Sequence, residues 1–471
     1  MRSVPSLFHT PRQNRLDLVS EDLTPSKKTT REMRIELGRS RRRALPRSEH
    51  ARWTPRPDRP SVVEFLKRSN DDRLASLVPI RHARMLESPL SFFRGLAISM
   101  AYDLGNMPST EMIVQSCGDC HLQNFGWFGT PERNVIFDVN DFDETMPAPW
   151  EWDLKRLAVS VVLAALCIGA PKSFCKKMAI VVAREYRDQL TMYDTHSPLE
   201  RYYNRLDSSA IARHFVGPET IARLTTIFER ARQHTVEHLL PKLTQIIGDE
   251  LKMIDQPPLI YHPPQSARYH LEVKQLMQRY RESLSNDRRF LLDLYDLSDA
   301  VYKVVGVGSI GLRCGLVLLR DADGSSLLLQ MKEAKASVLA PYVSLDARSH
   351  QGERIVCGQR LMQATSDVFL GWTIDSDGRH YYVRQLRDMK LSLEVSKFSQ
   401  PELADYARLC GWALARAHAK AGDPSRTLGY IGTGDRFELV IGEFAASYAE
   451  QVQHDFEAFQ TATKKGWIAV G

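Results

Sequence analysis

Apolar residues recur at three- and four-residue intervals from Val62 to Leu104, the spacing of one face of a helix, and the tract includes Phe92-Phe93-Arg94-Gly95-Leu96-Ala97. A short strand, Met112-Ile113-Val114-Gln115, follows. Phe125-Gly126-Trp127-Phe128 and Asn134-Val135-Ile136-Phe137 are apolar runs joined by the turn formers Gly129-Thr130-Pro131-Glu132-Arg133, which predicts a hairpin. The longest apolar run, Leu157 to Ala170, reads as part of a buried helix over 154–170 that Asp153 can cap. Residues 174–250 are mostly helical in pattern, Pro257-Pro258 and Pro263-Pro264 mark a linker, and an amphipathic helix is expected over 269–300. The pattern then changes. Val301-Tyr302-Lys303-Val304-Val305, Leu316-Val317-Leu318-Leu319 and Leu327-Leu328-Leu329-Gln330-Met331 read as strands, the last two joined by Asp321-Ala322-Asp323-Gly324. A helix around Gly352–Gln363, a hairpin around Phe369–Val383 and helices over 401–420 and 436–461 complete the chain, which has no internal repeat.

These elements predict an α+β protein. Residues 1–60 form a basic arm, 61–256 a mainly helical lobe, 257–300 a connecting segment and helix, 301–395 a small antiparallel β lobe, and 396–471 helices packing back on the helical lobe. The composition, 471 residues with 43% hydrophobic and 25% charged, is that of an ordinary globular protein. Charge is uneven: residues 25–59 hold twelve Lys and Arg against four Asp and Glu, so the net +6 belongs to the arm. With few apolar residues and no helical stripe, the arm is expected to be mobile or laid over the surface. Trp53 is the only aromatic residue among its arginines and no recognition motif accompanies it, so nucleic-acid binding ranks low. The first twenty residues lack the apolar core of a secretory signal, and no apolar run approaches the ~20 residues of a membrane span. Seven scattered cysteines suit a reducing compartment, so the cytoplasm is the expected location.

Two tracts carry candidate chemistry. In Gly118-Asp119-Cys120-His121-Leu122-Gln123-Asn124, Asp119 and Asn124 are five apart, the spacing of the kinase D-x-x-x-x-N loop. Phosphoryl transfer to a hydroxyl needs a carboxylate to orient and accept the proton, and an amide oxygen plus a carboxylate to hold magnesium against the phosphates. Asp119 fits the first role; Asn124 and Asp138 of Phe137-Asp138-Val139-Asn140-Asp141-Phe142-Asp143 fit the second. Asp141 is a further candidate ligand, while for both Asp141 and Asp143 capping of the next turn is the plainer role. His121 braces the loop.

The second tract is Gly306-Val307-Gly308-Ser309-Ile310-Gly311. A glycine fingerprint of a dinucleotide fold leads straight into a helix, whereas this one is followed by strand, turn and strand, the pattern of a glycine hairpin over phosphates. Gly306, Gly308, Ser309 and Gly311 are therefore candidate nucleotide contacts. Lys332, on the next strand, can reach the phosphates if a carboxylate holds it; Glu353 is the expected partner, with Glu333 its rival. Arg384, Arg387 and Lys390 either line the phosphate path or form a solvated strand end. Cys117 and Cys120 have C-x-x-C spacing, but no second pair completes a zinc site and the two residues between them belong to the polar loop.

His121 matches the histidine of the G-D-x-H-x-x-N loop of aminoglycoside and choline kinases. The blocks Phe92-Phe93-Arg94-Gly95, Cys117-Gly118-Asp119 through Gly126, Asp138 through Thr145, Pro149-Trp150-Glu151-Trp152-Asp153, Lys332-Glu333-Ala334, Gly358-Gln359-Arg360, Arg384-Gln385-Leu386-Arg387-Asp388 and Ala415-Arg416-Ala417-His418-Ala419 resemble a bacterial family of uncharacterised proteins, domain of unknown function 2252. The likeness runs from about Leu37 to near the C-terminus; Cys120 stands where that family more usually has a small residue such as alanine. The residue roles lead to an expected circularly permuted protein-kinase-like fold using ATP and Mg2+ on an unknown hydroxyl or amine acceptor. AMP transfer from the same site and a non-catalytic nucleotide-binding regulator are the alternatives.

Overall fold

The computed structural model describes residues 28–215, 218–233, 236–304, 308, 310–343, 350–386, 391 and 393–470. Gly306, Ser309, Arg387 and Lys390 lie outside the described residues. The core is organised by the helix Trp150–Cys167, in which residues 150–165 are all buried. A helix buried on all its faces has to be covered on every side, and Lys172–Thr195, Gln400–Lys420, Arg436–Lys464 and Pro89–Gly95 pack against it. Each fully buried Val or Leu here contributes roughly 1.5–3 kcal/mol, so Leu157 or Val161 anchors the lobe far more than any surface ion pair. The helix begins earlier than expected, with Pro149 as its N-cap, so Asp153 sits inside the first turn.

Four short strands lie beside this helix. β1 (Ile113–Ser116) pairs with β4 (Met146–Pro149), and β2 (Phe125–Gly129) with β3 (Val135–Val139) in the expected hairpin. β5 (Leu206–Asp207) adds a third strand to that hairpin. The tract read as mostly helical over 174–250 also contains the hairpin β6 (Thr244–Ile247) and β7 (Glu250–Met253), whose turn starts at Gly248 with φ +63°. A two-residue Gly-Asp loop is a hairpin signal that the helical spacing around it masks.

The second lobe is a six-stranded antiparallel sheet. β8 (Ile260–Tyr261), β9 (Asp296–Lys303), β10 (Cys314–Arg320) and β11 (Ser326–Glu333) are consecutive neighbours; β13 (His380–Gln385) pairs with β11, and β12 (Gly371–Ile374) forms the far edge. The proline-marked linker thus supplies an edge strand. The helix expected over 269–300 is two helices, Ser266–Glu282 and Asn286–Leu292, because Ser283–Ser285 interrupt it and pairing with β10 claims the chain from Asp296. β10 and β11 read as unbroken apolar runs because both faces are covered. Val317, Leu319, Leu327 and Leu329 pack with Val273 and Tyr280 of the Ser266–Glu282 helix; Leu316, Leu318 and Leu328 pack with Leu243, Met253 and Ile260.

The described part of the arm includes a helix, which its sequence pattern did not suggest. Arg31–Ala44 is a helix, N-capped by Thr30 and laid across Pro424–Ile431. Its only buried residue is Gly38, so no apolar stripe announces it. A Cβ at Gly38 would lie 2.0 Å from the Arg426 carbonyl oxygen, and one at Gly429 2.1 Å from that of Ile35. The crossing therefore depends on two glycines. Further on, Arg59 is buried between Asp103 and Asp455, at 2.9 and 2.7 Å. Among the described residues no helix is long and apolar enough to cross a membrane.

Candidate functional site

The loop between β1 and β2 is held from behind. Asp153 accepts hydrogen bonds from the backbone N–H groups of Cys117 (2.7 Å) and Gly118 (3.0 Å), and its carboxylate is in turn met by His418. Gly118 has φ +84°, and a Cβ there would lie 2.1 Å from the Glu144 carbonyl oxygen. Only glycine fits. The next side chain, Asp119, is thereby turned toward the cleft at 22% exposure, with Oδ1 taken by Arg156 at 2.5 Å. Arg156 is itself anchored to the Phe93 carbonyl and lies over the Phe93 ring.

His121 Nε2 stands 3.8 Å from Asp119 Oδ2. Burial, only partly offset by Asp119, pushes the imidazole pKa down to about 3, so it is neutral near pH 7. Asn124 donates its amide N–H groups to the carbonyls of Asp119 (3.1 Å) and Asp141 (2.9 Å), which turns its Oδ1 to the opposite side. Asp119, Asn124 and Asp141 are thus tied into one unit.

From the sheet, Lys332 reaches into the same unit. Its Nζ is 2.9 Å from Asp143 Oδ2 and 3.8 Å from Asp141 Oδ2, and its side chain is 4% exposed. Burial acts to lower the ammonium pKa, but Asp141 and Asp143 outweigh it and raise it well above the usual value, so the lysine stays charged. Tyr382 donates to Asp143 Oδ1 at 2.7 Å, and Arg384, hydrogen-bonded to Gln330 and Asn140, adds a second positive charge.

The partner of Lys332 is therefore Asp143, not Glu353. Glu333, the rival, is bonded to Arg313. Glu353 lies on the helix Gln351–Met362, with its backbone N–H on His350. The neighbouring Arg354 is what ties that helix to the site, donating to the carbonyls of Asp143, Thr145 and Lys335. Asp143 carries no separate signal in the sequence: it lies in a turn, with Thr145 N–H on the Phe142 carbonyl, and meets Lys332 only through the docking of the sheet.

Asp138 is placed differently from the metal ligand the spacing suggested. It is 0% exposed, and its oxygens accept from Arg416 (2.8 and 3.0 Å) and from the backbone N–H groups of Val139 and Ala364. Asp141, at 43% side-chain exposure, is the carboxylate that faces the cleft beside Asn124. Hard oxygen donors of this kind suit Mg2+, which is held by one or two carboxylates together with substrate phosphates. Among the described residues no three His, Cys, Asp or Glu side chains form a metal cage of their own. Cys117 and Cys120 are buried free thiols, with burial pushing Cys117 up to about 11, which does not suit redox or zinc chemistry.

The described part of the glycine turn is held by the helical lobe. Gly311 (φ +89°) packs on Arg73, its carbonyl accepts from Leu74, and Arg73 donates to the Ile310 carbonyl. Gly308 approaches the Arg94 carbonyl.

Fold and site together define an α+β protein with a helical lobe, an antiparallel sheet lobe, and a charged cleft where an acidic loop of the first meets a buried lysine of the second. No curated protein and no solved structure matches the chain. Residues 73–462 match the family described as "uncharacterized protein conserved in bacteria" (DUF2252), and the chain belongs to that family.

Proposed function

We propose that the protein is a kinase-like phosphotransferase using Mg-ATP, with the site elements of a protein kinase in permuted order. The observation that carries this reading is the Lys332–Asp143 contact at 2.9 Å, with Asp141 at 3.8 Å, between residues almost two hundred positions apart. In kinases a glycine turn, a lysine on the third strand and the following helix precede the catalytic loop. Here β9, the glycine turn, β10, Lys332 on β11 and the Gln351–Met362 helix follow it. The stretch from 251 to 300 makes that order possible by leading the chain from the helical lobe into the sheet.

Asp119 orients the acceptor and takes its proton through the carboxylate oxygen that Arg156 leaves unclaimed. Lys332 and the backbone of the glycine turn, with Gly306, Gly308, Ser309 and Gly311, hold the nucleotide phosphates. Asn124 and Asp141 would hold the metal, which supplies charge neutralisation of the phosphates; Asp138 supports them from behind. His121 keeps the loop in place. A cytoplasmic location, where ATP is abundant, fits this chemistry.

The test is turnover of ATP labelled at the α or the γ position. Release of ADP with label passing to an acceptor or water supports phosphoryl transfer; pyrophosphate release indicates AMP transfer. Binding without turnover indicates a regulator. Unchanged turnover in Asp119→Ala and Asp141→Ala would sink the assignment.

A further inference from the structure

Five cationic side chains already placed around the site are committed to the protein. Lys332 is held by Asp143, Arg156 by Asp119, Arg354 by backbone carbonyls, Arg73 by the carbonyls of Ser69 and Ile310, and Arg384 by Gln330 and Asn140. Arg94 differs. Its Nε is buried without a hydrogen-bond partner among the described residues.

Its position is fixed. Arg94 sits on the helix Pro89–Gly95, whose Phe92 and Phe93 are buried in the core and whose Gly95 carbonyl accepts from Arg81. The backbone of Arg94 meets the glycine turn: a Cβ built on Gly308 would be 3.6 Å from the Arg94 carbonyl oxygen. Its guanidinium interacts electrostatically with Asp119, Glu87 and Asp141, and with His121. Its backbone therefore lies against Gly308, one residue from the Phe93 carbonyl that Arg156 joins to Asp119, and its guanidinium is within electrostatic reach of both the proton acceptor and the metal-holding carboxylate of the proposed reaction. A guanidinium with a buried Nε that no protein acceptor meets is matched to an anion that arrives with the substrate.

We propose that Arg94 is a catalytic residue that binds the transferred phosphoryl group of ATP and stabilises the charge on its equatorial oxygens. This rests on the phosphotransferase reading above. In the step, a lone pair of the acceptor atom forms the new bond to the γ-phosphorus while the bond from that phosphorus to the β,γ-bridging oxygen breaks. The electron pair leaves with ADP and the acceptor's proton passes to Asp119. Arg94 neither gives nor takes a proton; it donates N–H groups to the phosphoryl oxygens throughout.

The experiment compares full-length wild type, Arg94→Met and Arg94→Lys for binding of Mg-ADP and of the Mg-bound β,γ-imido ATP analogue by calorimetry, and for ATP turnover. In Arg94→Met the ADP affinity should stay within about twofold, while analogue affinity falls roughly tenfold or more, the size of one or two lost charge-assisted hydrogen bonds. Turnover should fall by about 10³-fold, as when an arginine is taken from a phosphoryl-transfer site. Arg94→Lys keeps the charge without the planar fork and should recover part of both. It also stands in if the methionine variant fails to fold, its expected losses being in analogue affinity and turnover with ADP affinity kept. Equal losses for ADP and analogue, or turnover within a factor of two of wild type, would overturn the role of Arg94 while wild-type turnover kept the kinase reading intact. Wild type that binds neither nucleotide overturns both.

Discussion

The two ends of one acidic tract, Asp138 and Asp143, each meet a distant cation, yet the two ion pairs belong to different physical settings. Asp138 and Arg416 have side chains 0% and 1% exposed, and Arg416 also donates to the Met362 carbonyl while its Nε and Nη1 remain unpartnered. Asp143 and Lys332 lie at the cleft, with the carboxylate 22% exposed and Asp141 beside it still more open. A buried pair is dear to assemble and ruinous to break on one side, whereas a pair at a cleft edge can exchange its partner for a ligand. The first suits the joint between the hairpin, the end of the Gln351–Met362 helix and the Gln400–Lys420 helix. The second suits a site. Residue type alone does not separate them.

The comparison breaks most readily at Arg416. Arg416→Leu strands a buried carboxylate and should cost about 3–5 kcal/mol in urea unfolding; the double variant with Asp138→Leu should recover much of it. A loss of under about 1 kcal/mol would mean the pair is not the joint described. At the other end Asp141→Asn should change stability by no more than about 1 kcal/mol while ATP turnover drops by about 10²-fold or more. The two ends are then distinguished by which readout moves, and similar behaviour of both would erase the distinction.

A smaller effect tests how the cleft end is built. Gly118→Ala demands a left-handed residue with a Cβ against the Glu144 carbonyl, so unfolding should show a loss of roughly 1–3 kcal/mol. Turnover should fall as well, since Asp119 follows directly. The last concerns His121, whose effect is confined to acidic pH. Its pKa in the folded protein, about 3, lies below the ordinary 6.5, so the unfolded chain binds the extra proton between those values. Stability from this group is thus present above pH 6.5 and is lost as pH falls toward 3. His121→Asn should flatten the pH dependence of the melting temperature in that window; an unchanged slope would show that the imidazole is not buried neutral.

Much of the fold was legible because it is written in local patterns. The β2–β3 hairpin follows from two apolar runs around Gly129–Arg133, the buried helix from an uninterrupted apolar tract, and β10–β11 from runs joined at an Asp-Gly turn. The Arg31–Ala44 helix was hidden because its contact is made by Gly38, which carries no hydrophobic signal. β8 and β5 were hidden because two-residue strands exist only through their partners. Asp119, Asn124, Asp141 and Lys332 are brought together by the Asn124 amide and the Lys332–Asp141 contact. Glu353 and Asp138 do not take the places expected of them.

What the amino-acid sequence determined by itself is therefore the inventory and its order: a loop with a carboxylate and an amide five residues apart, an acidic tract behind a hairpin, and a glycine turn with a strand lysine far downstream. What only the tertiary structure decided is which carboxylate meets which cation. Arg416 reaches Asp138 across 278 residues of chain and Lys332 reaches Asp143 across 189. Such pairings depend on how helices and sheet dock, and docking is set by the summed burial of apolar faces rather than by anything within either short motif.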